Sequence, residues 1–242
     1  MTANEMKFTF MLKFDAMFEF SAPNYDDRQI SYLLTNAQNR VFIDKYYSLA
    51  DKYKRGFESD ERHRRDLEQL IKPATPTPSS VQTGVHPNGK FYDLPSDFLY
   101  AIEEAAITSA IPTKEVVVKP VTHDQYLANI NNPYKRPYAN LVWRMDVSRQ
   151  IQAVGTGTAA SAKRTELISD PTLPANTVTS YRMRYLQMPP AIVVDEFSPS
   201  NQRHCILDPI IHDAIIDEAV KMATASVKPE TYQIADKEKS DN

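Results

Sequence analysis

The chain has 242 residues, 42% of them hydrophobic and 24% charged, enough for one large domain or a compact domain carrying an insertion. Its net charge of −3 creates no global basic field for nucleic acid, and a single cysteine excludes an intrachain disulfide framework and a multi-cysteine zinc site. Gly is scarce at 5 and Pro abundant at 17, which disfavours glycine-cradled phosphate sites and favours stiff, extended connections.

Lys7, Lys13, Asp15 and Glu19 interrupt the Phe- and Met-rich N-terminus, so it reads as neither signal peptide nor membrane span. A soluble protein, cytosolic when made, is expected. Residues 4–20 place Phe10, Met11, Phe14, Met17 and Phe18 at helical spacing. Asn24 offers the cap of a second helix, with Asp26 and Asp27 in its first turn, where carboxylates favour the dipole. Ile30, Leu33, Leu34, Ala37 and Val41 form its apolar stripe, and it is expected to reach Lys52. A third helix starts at Ser59, with Leu67, Leu70 and Ile71 turned inward. These helices in residues 1–72 read as a bundle.

Lys72–Ser80 is proline-rich and reads as a linker, extended to residues 73–93. After it, Phe98, Tyr100 and Ile102 alternate as in a strand, and Val116–Val118 is a short β-run ended by Pro120. Thr122 and Gln125 make a capping-box pattern for a short helix. Leu141–Val147, Arg164–Ile168 and Val178–Leu186 read as strands, with a small-residue loop at 152–162. Asp208 then caps a last helix whose first residue is Pro209. Its stripe is Ile211, Ile215, Ile216, Ala219, Met222 and Ala223, and its natural target is the N-terminal helices. The expected fold is α+β: a helical bundle from both chain ends, with an inserted β-rich domain. The expected boundaries are 1–72 with 207–227 for the bundle, 94–206 for the β-rich domain and 228–242 for a polar tail. Ile30, Leu33, Leu34, Ala37, Val41, Ile211, Ile215, Ala219 and Met222 are the candidate bundle core.

No segment carries a convincing active site. Gly155-Thr-Gly157 lacks P-loop spacing and reads as a flexible loop. Cys205 beside His204 and near His212 could suggest nucleophile and base, but a small buried thiol is the plainer reading. The histidines show no metal-ligand spacing, and adjacent carboxylates such as Glu103 with Glu104, or Asp26 with Asp27, share no face. No catalytic residue, cofactor or metal is expected.

Two basic regions stand out. Lys52–Arg65, with Arg62, Arg64 and Arg65 at its end, carries aromatics but is interleaved with acids. It fits ion pairs or a subunit contact, with an accessory nucleic-acid-binding role as the alternative. Asn132-Pro-Tyr134-Lys135-Arg136-Pro-Tyr138 is either an interface loop with aromatic anchors or a loop packed on its own sheet.

Taken together, an ordered set of segments is familiar. It comprises Ala37-Gln38, Gly56-Phe-Glu-Ser-Asp-Glu61, Leu94-Pro-Ser-Asp97-Phe98, Val118-Lys-Pro120, Asn132-Pro-Tyr-Lys135, Trp143-Arg144, Tyr185-Leu-Gln-Met-Pro-Pro190 and Cys205-Ile-Leu-Asp208. This set resembles the head-to-tail connector, or neck ring, proteins of tailed bacteriophages, most closely those of crAss-like phages, across nearly the whole chain. The resemblance implies a structural virion protein in a homo-oligomeric ring, usually twelve-fold, below the portal. Its implied partners are the portal protein, further neck-ring or tail proteins, and genomic DNA passing through the lumen without sequence-specific binding. No membrane is implied. Loop 152–162 and the tail after Val227 match nothing in that pattern.

Overall fold

The computed structural model describes residues 1–17, 24–47, 61–147, 163–173, 176–195 and 198–227. Among them are helices α1 (Ala3–Met17), α2 (Asp27–Tyr47), α3 (Glu61–Leu67), α4 (His123–Asn129) and α5 (Pro209–Val227). The strands are β1 (Ile71–Ala74), β2 (Thr77–Thr83), β3 (Gly89–Asp93), β4 (Phe98–Thr108), β5 (Ile111–Pro120), β6 (Leu141–Val147), β7 (Arg164–Ile168) and β8 (Val178–Gln187). They divide into a helical unit, Met1–Leu70 with Pro189–Asn242, and a sheet unit, Ile71–Met188. None of the described helices is long and apolar enough to cross a membrane.

In the helical unit, α5 packs against both α1 and α2, while α3 touches α2. The start of α5 follows from local chemistry: the Asp208 carboxylate accepts the Ile210 N–H at 2.9 Å, and Pro209 costs no hydrogen bond at the first position. Flanked on two sides, α5 buries a broad arc: Ile211, His212, Ile215, Ile216, Ala219, Val220, Ala223 and Thr224. Ile30, Leu34 and Ala37 of α2 are buried with it, as is Gln38, whereas Leu33, Val41 and Met222 are half-buried.

Several local expectations are corrected. The buried stripe of α1 is Ala3, Met6, Phe10 and Phe14; Met11 is half-buried, Met17 is exposed, and Phe18 lies outside the described residues. Thr2 and Glu5 close a capping box there, Glu5 N–H to Thr2 Oγ1 at 3.3 Å and Thr2 N–H to Glu5 Oε2 at 2.8 Å. The cap of α2 is Asp26 rather than Asn24. Its carbonyl accepts the first helical bond, from Ile30 at 3.0 Å, and its N–H donates to Gln29 Oε1 at 3.0 Å. Helix α3 turns into a 3-10 turn at Glu68–Leu70, with Leu67 and Leu70 buried, and Ile71 already begins β1.

The sheet has eight strands in the order β1-β8-β4-β5-β6-β7-β3-β2. Only β5 and β6 pair in parallel, and the connection between them carries α4; the other pairs are antiparallel. The proline-rich stretch expected as a linker supplies β1 and β2 instead. They are the two edges of the sheet, with Pro73 on one and Pro78 on the other. A residue with no N–H is tolerated at an edge, where one side of the ladder is open.

The sheet curls until its distant strands meet. The Tyr92 hydroxyl on β3 donates to the Val178 carbonyl on β8 at 2.9 Å, and the Tyr92 and Tyr181 rings meet edge-on at 5.5 Å. Inside the curl lie Tyr92, Leu94, Phe98, Ala106, Val116, Val118, Val142, Leu167, Val178, Tyr181, Met183 and Tyr185. On the opposite face, α4 brings Tyr126 onto Trp143, Met145 and Ile168. The two-residue period of β6 separates these layers, Val142 and Arg144 inward and Trp143 and Met145 outward. The Thr122 capping box is present at the start of α4.

Candidate functional site

The motifs that are separate in the chain converge at the end of the sheet unit. Phe98 faces Gln187 in the β4–β8 ladder, and the Met188 N–H donates to the Asp97 carbonyl at 2.8 Å. The Asp97 carboxylate accepts the Tyr185 hydroxyl at 2.9 Å and lies 3.4 Å from the Lys72 ammonium on β1. Phe98 and Tyr185 pack ring against ring, with centroids 5.8 Å apart. Burial, and then the Asp97 carboxylate, push the Tyr185 hydroxyl up to about 12. The Tyr185 hydroxyl therefore stays protonated near neutrality, and its bond to Asp97 serves the fold.

Beyond Pro189 the chain lies extended along α2 in the helical unit. Gln38 Nε2 donates to the Pro190 carbonyl at 2.8 Å. Thr35 Oγ1 donates to the Ile192 carbonyl at 3.2 Å and accepts the Ile192 N–H at 3.1 Å. Ser31 Oγ accepts the Val194 N–H at 2.9 Å. Residues 31, 35 and 38 stand one helical turn apart, so their side chains satisfy alternate residues of an antiparallel extended segment. Between those bonds, Ile192 and Val194 are buried.

Inside the curl, Arg144 and Glu104 form an ion pair at 2.6 Å, with side chains 10% and 7% exposed. The Tyr181 hydroxyl donates to the same carboxylate, and Arg144 also reaches Asp146 at 3.1 Å. Burial, and then Glu104, hold the Tyr181 hydroxyl far above its ordinary range. Glu103, the next residue, points outward toward Arg182 and Arg184, so the adjacent glutamates occupy opposite faces of β4. A second buried carboxylate, Glu166, accepts the Val85 and His86 N–H groups at 2.8 and 3.0 Å and meets His86 Nδ1 at 2.8 Å. A Cβ on Gly89 would stand 2.3 Å from Glu166 Oε1, which accounts for glycine there.

The residues that could suggest catalysis serve the fold. Cys205 is buried, which pushes its thiol up to about 11. His204 Nδ1 accepts the Ala3 N–H at 3.0 Å. His212 donates from Nε2 to the Leu207 carbonyl at 3.0 Å, while its Nδ1 meets the Met1 amine at 3.1 Å. Among the described residues no three His, Cys, Asp or Glu side chains are grouped to hold a metal. Gly155–Lys163 falls almost wholly outside the described residues.

The candidate interface residues divide between the units. Tyr134, Lys135 and Tyr138 are exposed on the sheet unit, Tyr134 at 94%, and Arg136 is half-buried. Asn132 builds their loop: its side-chain oxygen accepts the Tyr134 N–H at 3.0 Å and its carbonyl accepts the Arg136 N–H at 3.0 Å. Arg64 and Arg65 are exposed in the last turn of α3, Arg62 lies in the same helix, and Lys52 to Ser59 are outside the described residues.

Comparison with known proteins bears on what such surfaces serve. A family model described as phage tail ring protein 3/4 matches residues 1–235. Two proteins of Bacteroides phage crAss001 are similar along most of their lengths. Ring protein 4/5 is 28% identical over 238 residues, covering 93% of either chain. Ring protein 3 is 27% identical over 214 residues, covering 83% of this chain and 85% of its own.

Proposed function

The chain belongs to the phage tail ring protein 3/4 family, and on that footing we propose that it forms one ring of the virion neck, below the portal, extending the DNA channel and joining head to tail. Membership makes it a structural virion component of ring type and not an enzyme. The observation that supports the ring reading is the breadth of the match, residues 1–235, which takes in both compact units.

In this reading about twelve copies close around the DNA, a head-to-tail contact repeated about one axis. The helical unit, Met1–Leu70 with Pro189–Asn242, supplies the side-to-side wall, and the sheet unit, Ile71–Met188, supplies contacts along the axis to the portal or to further ring and tail proteins. The 132–138 loop is the leading axial contact. Tyr134 is extended into solvent by an Asx turn instead of packing on its own sheet, which supports the interface role over the inert one. Arg62, Arg64 and Arg65 are assigned to a subunit contact. A chain of net charge −3 lets DNA slide past without sequence-specific capture.

Mass spectrometry and electron microscopy of purified virions test this. The expected result is a ring of this chain directly beneath the portal, and mixing with portal protein yields stacked rings. A ring placed elsewhere in the tail, out of reach of the portal, overturns the neck assignment. Absence of the chain from virions overturns the whole reading.

A further inference from the structure

Helix α1 is apolar on two opposite sides. Its buried stripe, Ala3-Met6-Phe10-Phe14, faces its own unit. At 100° per residue, Phe8 and Leu12 lie on the far side of the helix, and they are 70% and 56% exposed. The flanks hold the helix in that orientation: Lys7 pairs with Asp27 of α2 at 2.6 Å, and Lys13 with Asp217 of α5 at 2.7 Å. A helix apolar on both faces is one that becomes covered on both. Among the described residues, the unit therefore presents a ridge that its own elements leave exposed.

The start of α2 presents an unlike surface in the same unit. Tyr25, Arg28, Gln29, Tyr32 and Leu33 line a shallow hollow with a mostly apolar lining, and Tyr32 at its lip is 68% exposed. Arg28 lines the hollow and Asp15 of α1 stands beside the ridge, one opposite charge on each surface that can pair when they meet. A ring closes through a heterologous contact, in which each copy offers two different surfaces to its two neighbours.

We infer that the Phe8–Leu12 ridge of one copy seats in the Tyr25–Leu33 hollow of the next, and that this is the side-to-side contact of the ring, an inference that rests on ring assembly but not on the neck placement. Aspartate at both ridge positions removes the contact and leaves the fold, because neither side chain is in the core. A hydroxyl-bearing replacement at Tyr32, Tyr32→Ser, does the same from the other side.

The test is disulfide trapping in phage particles whose copy of this chain carries Leu12→Cys together with Tyr32→Cys; the natural Cys205 is buried and does not compete. Under oxidation the double variant is expected to give a ladder of covalent multimers beyond the dimer, and each single variant none. Particles that contain the chain as a ring yet give no ladder overturn the inference while the ring reading stands. A dimer from Leu12→Cys alone also overturns it, because the ridge then meets itself. Particles that lack the chain overturn both.

Discussion

The Asp97 carboxylate accepts the Tyr185 hydroxyl at 2.9 Å, which ties the turn before β4 to the end of β8 just before the chain leaves the sheet. This bond has a charged acceptor and a buried donor, the kind worth about 1.5–3 kcal/mol. Tyr185→Phe keeps the ring on Phe98 and removes only the bond, so it is expected to lower stability by about 1–2 kcal/mol in urea unfolding, the half-exposed acid moderating the loss. Lys72→Ala, acting on an exposed pair, is expected to change it by less than about 1 kcal/mol.

The Arg144–Glu104 pair behaves differently because neither charge can return to water. Arg144→Met leaves Glu104 buried without its cation and is expected to cost about 3–5 kcal/mol. Arg144→Met combined with Glu104→Gln removes both charges and is expected to cost clearly less than the first change alone. Chemical denaturation of the full double-mutant cycle measures the coupling. Additive losses would show that the two side chains do not depend on each other.

Stability also responds to pH through His212. Burial is the main cause holding its imidazole below the ordinary 6.5, and Nδ1 faces the Met1 amine, so a proton there would meet a like charge. The unfolded chain binds that proton near pH 6.5 and the folded chain resists it. The contribution is therefore complete above about pH 6.5 and is lost as pH falls toward the depressed folded value, at no more than about 1.4 kcal/mol per pH unit. His212→Gln is expected to flatten the decline between pH 6.5 and 5. An unchanged slope in that variant would assign the decline to other groups.

Cys205 is the single thiol, so its reactivity can be read without ambiguity. With its pKa raised by burial to about 11, it holds little thiolate at neutral pH and is closed to reagent. Ellman's reagent is expected to react with the native chain at least about 100-fold more slowly than with the unfolded chain. Rapid native labelling would show that the segment before α5 opens readily.

How legible these features are in the chain depends on how local their causes are. Asp208-Pro209 followed by the Ile211–Ala223 stripe specifies α5 within its own residues, and strand-favouring composition does the same for β6 and β7. The cap of α1 was equally local, a Thr-x-x-Glu at its first residues. The edge strands were hidden because proline composition is the same in a linker and at a sheet edge, and only the pairing partner tells them apart. Arg144 reads as an ordinary charged residue in a strand, since its partner Glu104 comes from a different strand of the curl. The Tyr134 loop was visible as aromatic and basic, but its exposure depends on the fold of Asn132.

The least legible feature is the extended segment on α2, whose polar anchors look like ordinary surface residues of an amphipathic helix. Thr35 and Ile192 are 157 positions apart, and the hydroxyl both donates to and accepts from the same residue's backbone. Thr35→Val keeps the shape and strands one N–H and one carbonyl beside a buried side chain, at an expected cost of about 1–3 kcal/mol. Ser31→Ala removes a single acceptor, that of Val194, and is expected to cost about half as much. Hydrogen exchange separates local loosening from global unfolding: the Ile192 and Val194 amides should lose protection in Thr35→Val while the buried turns of α5 keep theirs. Equal loss in both places would mean that the segment and the helices open as one cooperative piece, and that these bonds contribute to the whole helical unit rather than to the strap alone.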